Sequence, residues 1–238
     1  MRELMTSGTL GDCYITALKL YNIEGDTRVY HYVHNSHKYW REPMQDLLML
    51  APSVKEVVFT DAPRYDLPRV HSNFKDPDKI ELVPQWFVRH DTLFNKPTDK
   101  FGLPDGYRVI CVNSGKPKGM GINTKLLHPQ DVEQFLQPEI STVLVGTEKM
   151  FTNWTRDYCV NLVGKTSLQE VMTLVSHANS FLGPEGLLLF VALSHKVKSK
   201  GFYTSQEAME KRVIGTPWED FATLHPCASG MDCTLVYQ

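Results

Sequence analysis

The stretch "NLVGKTSLQEVMTLVSHANSFLGPEGLLLFVAL", residues 161–193, decides the fold class. Asn161, Leu162, Val163 and Gly164 lead into Lys165-Thr166-Ser167, after which Leu168, Val171, Met172 and Val175 recur at helical spacing. Ser180–Leu182 reads as a short strand, and Gly183-Pro184-Glu185-Gly186 turns the chain into an apolar helix, Leu187–Leu193. Short strands alternating with helices argue for a parallel sheet in an α/β fold. The turn places Glu185 and the unpaired N–H groups around Gly186 and Leu187 at a helix N-terminus. Such an end suits a diphosphate, and a carboxylate beside it suits the two hydroxyls of a ribose. A plain β–α turn with Glu185 complementing the helix dipole fits the same residues.

The pattern extends in both directions. Strands are expected at Glu3–Met5, Arg28–Val33, Glu56–Thr60, Arg108–Val112 and Thr142–Val145, and helices at Asp12–Tyr21, Glu42–Leu50, Pro129–Leu136 and Leu168–His177. Residues 62–106 carry six prolines, which breaks any regular element there and separates two segments that each begin strand–glycine loop–helix. The expected fold is therefore α/β with two Rossmann-like domains, 1–104 and 105–238. The second opens with "YRVICVNSGKPKGMGINTKLLHPQDVEQF", residues 107–135. Its strand runs into Ser114, Gly115, Lys116 and Lys118, a glycine–lysine loop able to hold a phosphate through backbone N–H groups and ammonium ions. The spacing is not that of a Walker loop.

In the first half, "TSGTLGDCYITALKLY", residues 6–21, sets Gly11 and Asp12 at the start of an apolar helix. Asp12 fits a helix cap there. Further on, "RVYHYVHNSHKYWR", residues 28–41, mixes His31, His34, His37 and Lys38 with four aromatic rings, a composition that stacks on sugars or bases and meets phosphates. It lacks the HxH and HExxH patterns of a metal site. "HKVKSK", residues 195–200, reads as a solvated basic loop. Net charge is −2, which gives no global attraction to nucleic acid, and 42% apolar residues supply a core. Five scattered cysteines without a CxxC pair fit reduced thiols. With no signal core and no apolar run of spanning length, a soluble cytoplasmic protein is expected.

Together these pieces resemble the GT-B glycosyltransferases, especially the bacterial heptosyltransferase-like family, with an interdomain cleft between the two domains. "SGTLGDCYITALKL" resembles that family's opening loop and helix, "VNSGKPKGMGINTKLLHPQDVEQF" the start of its donor domain, and residues 161–193 its "NLxGkTsLxElaxLisxAdxfvGxdsGxxHlAaAl" core. Where the family carries a histidine after the glycine turn, this chain reads Leu187-Leu188-Leu189-Phe190, and lysines are expected to take over its charge.

The resemblance implies an inverting, metal-independent transferase that needs no cofactor beyond its nucleotide-sugar donor, a UDP- or ADP-sugar. Asp12 would be the general base, since an acceptor hydroxyl must lose its proton as it attacks the anomeric carbon. Ser114, Gly115, Lys116, Lys118, Lys125, Leu162, Val163, Glu185, Gly186 and Leu187 would hold the donor; Lys125 enters because "TKLLHP" resembles the family's lysine before a Trp-Pro step. Thr9, Gly11, His34, His37 and Trp40 would hold the acceptor, a saccharide, a glycolipid or a hydroxylated base in nucleic acid. A non-catalytic nucleotide-sugar-binding module and a nucleotide-sugar epimerase are the alternatives, and the oligomeric state stays open.

Overall fold

A computed structural model describes the chain except residues 76–77, 79, 89–97, 115–124, 148, 204–205 and 227–238. Two compact units result, Met1–Trp86 and Phe87–Gln238, each with its own parallel sheet. In the first unit, β1 (Arg2–Ser7), β2 (Thr27–Tyr32) and β3 (Val54–Thr60) lie side by side in that order. Their register aligns Ser7 with Tyr32 and Tyr32 with Thr60, so the carboxyl ends of all three strands share one edge. Helix α1 (Leu10–Leu20) follows β1, and α2 (Arg41–Leu48) follows a 3-10 turn at Asn35–Trp40. Every residue of α1 from Cys13 to Leu20 is buried, Lys19 included. Its ammonium meets Asp78 Oδ2 at 2.7 Å and the Asn73 carbonyl at 2.8 Å. A buried cation needs such a partner, and this one ties the proline-rich segment to the helix.

The second unit contains α3 (Thr98–Phe101), β4 (Arg108–Cys111), α4 (Pro129–Phe135), β5 (Thr142–Val145), β6 (Cys159–Asn161), α5 (Leu168–Ser176), β7 (Ser180–Pro184), α6 (Leu187–Ser194), β8 (Lys198–Tyr203), α7 (Gln206–Arg212) and β9 (Ala222–Pro226). Its sheet runs β6-β5-β4-β7-β8-β9, all parallel. Counted within the unit this is the order 3-2-1-4-5-6, with β4 and β7 adjacent where the winding reverses. Ligands of open α/β sheets bind at such a switch point, beyond the carboxyl ends of the strands. The core beneath it gathers Ile110, Val112, Val132, Leu144, Leu182 and Phe202. Helix α5 starts with Ser167 as its cap, whose hydroxyl accepts from Glu170 N at 3.2 Å while the Glu170 carboxylate accepts from Ser167 N at 2.8 Å. Helix α6 is apolar nearly all round because it is covered by α5 and by Trp218, which stacks on Phe190 at 5.9 Å.

The elements expected from residues 1–60 and 107–193 are present. The division at Trp86/Phe87 comes earlier than the boundary expected near Pro104, because Val88 N already donates to Ser194 O at 2.9 Å and Phe87 packs on Phe221. The basic tract 195–200 is not a solvated loop. His195 and Val197 are buried, and Lys198 opens β8, where lysines alternate with the buried Ser199 and Gly201. Among the described residues no helix is long and apolar enough to cross a membrane.

Candidate functional site

The switch point of the second unit brings together residues far apart in the chain. Ser114 lies three residues beyond β4, and Glu185 follows directly on β7. Glu185 N still donates to Phe202 O at 2.7 Å, so the ladder holds the residue in place while its carboxylate sits 4% exposed. Lys125 Nζ lies 3.1 Å from Glu185 Oε2, and Arg212 Nη1, at the end of α7, lies 2.7 Å from Oε1. One buried anion thus stands between two cations. Ser114 N donates to Lys125 O at 3.0 Å, which fixes the lysine's backbone beside the serine. Gly186 caps α6 with φ +155°, and a Cβ there would overlap Ser114 Oγ. Only glycine lets the strand end and the helix start come this close. Asn113 joins the ends of β4 and β5, accepting from Thr147 N at 2.8 Å and donating to Thr147 Oγ1 at 3.0 Å.

In the first unit Asp12 occupies the third position of α1, and Thr9 precedes the helix. Thr9 N and Thr9 Oγ1–H both donate to Asp12 Oδ2, at 2.7 and 3.0 Å. Thr9, not Asp12, is therefore the N-cap, and Asp12 closes the capping box from the third helical position. Gly8 has φ +125°, and a Cβ on it would stand 2.5 Å from Cβ, Cγ and Oδ2 of Asp12, so the glycine makes room for the carboxylate. Behind this loop His31 is fully buried. Its Nδ1 is 2.7 Å from Thr6 Oγ1 and its Nε2 3.3 Å from the Gly8 carbonyl. A carbonyl only accepts, so Nε2 carries the proton and Nδ1 accepts from Thr6. Burial holds the His31 pKa down to about 4, against smaller upward pulls from the Gly8 carbonyl and the Asp12 charge. A neutral imidazole thus fastens the glycine loop from beneath.

Ser7, Gly8 and Thr9 form one wall of a cleft of about 610 Å³ at the carboxyl edge of the small sheet. Its other walls carry Tyr32, His34, His37, Arg64, Tyr65, Arg69 and His71. Arg64 is matched by Asp66 through two hydrogen bonds of 2.6 and 2.8 Å, while Arg69 Nη2 reaches Ser7 Oγ at 3.1 Å. His34 and His37 meet edge to face at 6.3 Å. Burial and the neighbouring His34 lower the His37 pKa, opposed by the charge of Asp12. Asp12 does not itself line the cleft, and its carboxylate abuts Gly8 and Thr9, which do.

Among the expected donor residues, Ser114, Lys125, Glu185, Gly186 and Leu187 converge at the switch point, and Gly115, Lys116 and Lys118 lie outside the described residues. Leu162 and Val163 bury their side chains, and their N–H groups are taken by Leu144 O and Asn161 Oδ1. On the acceptor side Thr9, His34 and His37 line the cleft, Gly11 is buried within α1, and Trp40 packs at a tilt against Tyr39 at 5.1 Å without lining it. Sequence reading missed Arg212, whose place at a helix C-terminus looks like ordinary dipole complementation. It also missed Arg64, Arg69 and His71 in the proline-rich segment. Among the described residues no three His, Cys, Asp or Glu side chains gather as a metal-binding group. Cys13, Cys111 and Cys159 are unpaired thiols, and burial pushes Cys111 up to about 12.

No protein-family model and no curated protein matches the chain by sequence. Its fold does match solved structures. It is similar to a glycosyl transferase family 9 protein from Veillonella parvula, at 11% identity and TM-score 0.59, over 97% of this chain and 88% of the other. The ADP-heptose LPS heptosyltransferase II of E. coli is similar at 13% identity and TM-score 0.57, over 97% and 92%. The E. coli heptosyltransferase WaaC with ADP follows at 12% identity and TM-score 0.53, over 85% and 87%. The chain therefore has the parallel α/β fold of the GT-B-like glycosyltransferases.

Proposed function

We propose that the protein is a glycosyltransferase that moves a sugar from a nucleoside-diphosphate sugar to an acceptor hydroxyl, with inversion and without a metal ion. The observation that carries this reading is the cluster of Ser114, Lys125, Glu185 and Gly186 at the switch point of a 3-2-1-4-5-6 sheet. The N–H groups at the start of α6 and the Lys125 ammonium face the diphosphate, and Glu185 faces the ribose. Once the donor is bound they stay in place as charge gathers on the departing nucleoside diphosphate, which is how a preorganised site lowers a barrier. Two of the similar proteins are described with ADP or ADP-heptose, which makes an ADP-sugar the first donor to test.

Asp12 takes the proton of the acceptor hydroxyl as the oxygen attacks the anomeric carbon, and the sugar inverts in a single displacement. The acceptor sits in the cleft of the first unit, with its reacting hydroxyl at the Gly8–Thr9 edge that the Asp12 carboxylate abuts. Arg69 and the histidines His34, His37 and His71 favour an acceptor that carries a carboxylate or phosphate near its reacting hydroxyl. A saccharide or glycolipid of that kind is the leading acceptor.

The test is mass spectrometry of the protein incubated with a panel of nucleotide sugars and anionic saccharide acceptors. Release of a nucleoside diphosphate together with a glycosylated acceptor is the expected result. Tight nucleotide binding with no release from any donor would turn the reading toward a non-catalytic binding module.

A further inference from the structure

The donor reading asks two things of residues that are bonded to each other. Lys125 is to hold phosphate and Glu185 is to hold ribose, yet the ammonium rests on the Glu185 carboxylate at 3.1 Å. A lysine leaving a buried lone carboxylate would strand an uncompensated charge, which costs far more than a surface ion pair returns. Arg212 changes that balance. Its guanidinium holds the other carboxylate oxygen at 2.7 Å, its side chain is 21% exposed against 32% for Lys125, and it rests over the Phe190 ring at 5.6 Å. A planar guanidinium anchored on both a carboxylate and a ring is the cation that stays, and a flexible ammonium at the edge is the one that moves.

We propose that Arg212 is a positioning residue of the donor site: it keeps Glu185 neutralised so that Lys125 swings from Oε2 to the diphosphate and leaves Oε2 to accept a ribose hydroxyl. The inference rests on the donor reading above. One cation stays in the protein and one crosses to the ligand, so the buried carboxylate is never left unpaired. The bound diphosphate gains a charge-assisted bond, and the ribose gains another.

The test is a double-mutant cycle read by calorimetric titration with inorganic pyrophosphate, and with ADP against 2′,3′-dideoxy-ADP. The variants are Arg212→Gln, Glu185→Gln and their combination, with Arg212→Lys to keep the charge and thermal melting to confirm folding. In the parent, Glu185→Gln should alter pyrophosphate affinity by less than about threefold, because Arg212 already neutralises the carboxylate. In the Arg212→Gln background the same change should raise pyrophosphate affinity about tenfold, the scale of one charge-assisted bond regained by Lys125. Arg212→Lys should keep most of the parent's preference for ADP over dideoxy-ADP, and Arg212→Gln should lose it. Equal effects of Glu185→Gln in both backgrounds would overturn the proposal and leave the donor reading standing. A well-folded parent that binds neither ADP nor pyrophosphate would overturn both.

Discussion

Each unit places a carboxylate just past a strand end, beside a glycine of positive φ, and the two units treat it in opposite ways. Asp12 is half-buried, takes two hydrogen bonds from Thr9, and abuts two residues that line the cleft, with neutral His31 beneath that loop. Glu185 is buried and bracketed by Lys125 and Arg212. A carboxylate bracketed by two cations is committed to charge balance and to orienting its neighbours. One held by neutral donors near a cleft keeps the capacity to take a proton from a hydroxyl. The same local motif, strand–glycine–helix, thus carries a carboxylate held by neutral donors in one unit and one bracketed by cations in the other, and the proposed roles of base and ribose partner follow that difference.

The sharpest break of this contrast is Asp12→Asn. The amide oxygen accepts the same bonds from Thr9, and one negative charge lost from the first helical turn costs little, so unfolding free energy should stay within about 1 kcal/mol of the parent. Turnover should fall by about two to four powers of ten, the usual contribution of a general base. Unchanged turnover in a folded variant would reduce Asp12 to its capping role.

The support beneath Asp12 is next. His31 has a folded pKa of about 4 against 6.5 for a free imidazole. Between those values the unfolded chain binds the proton and the folded chain does not, so this stability is present above pH 6.5 and is lost as pH falls toward 4. The loss approaches about 3 kcal/mol. Urea unfolding at pH 7.5 and pH 4.5 should show it, and His31→Gln should flatten the difference. A smaller effect is expected from Gly8→Ala, which puts a Cβ 2.5 Å from Asp12 and strains a φ of +125°. About 2 kcal/mol of thermal stability should go, with turnover reduced as Asp12 shifts. A melt and turnover equal to the parent's would show that the loop yields freely.

The strand-and-helix alternation was legible because apolar periodicity marks the elements of β1–β3 and β4–α6 in their own local sequence, except β6, whose three residues Cys159–Asn161 are too few to show a period. The switch-point cluster was legible in part for the same reason: Ser114 and Glu185–Gly186 sit at strand ends that the periodicity locates. Strand β8 was not, because Lys198 and Lys200 present their charges on the open face while Ser199 and Gly201 carry the buried one, which reads as a charge run. Arg212 was invisible because its meaning lies in a partner 27 residues away. The cleft residues Arg69 and His71 were hidden by the prolines around them, since an irregular segment has no period to read and is placed only by tertiary bonds such as Lys19–Asp78.

The division of labour between the two carboxylates is tested most directly by the ratio of ADP to 2′,3′-dideoxy-ADP affinity in the parent, in Asp12→Asn and in Glu185→Gln. The parent should prefer ADP by about tenfold, the worth of a hydrogen bond to a charged group. Asp12→Asn should keep that preference, and Glu185→Gln should bring it close to one. A preference lost in Asp12→Asn and kept in Glu185→Gln would contradict the account.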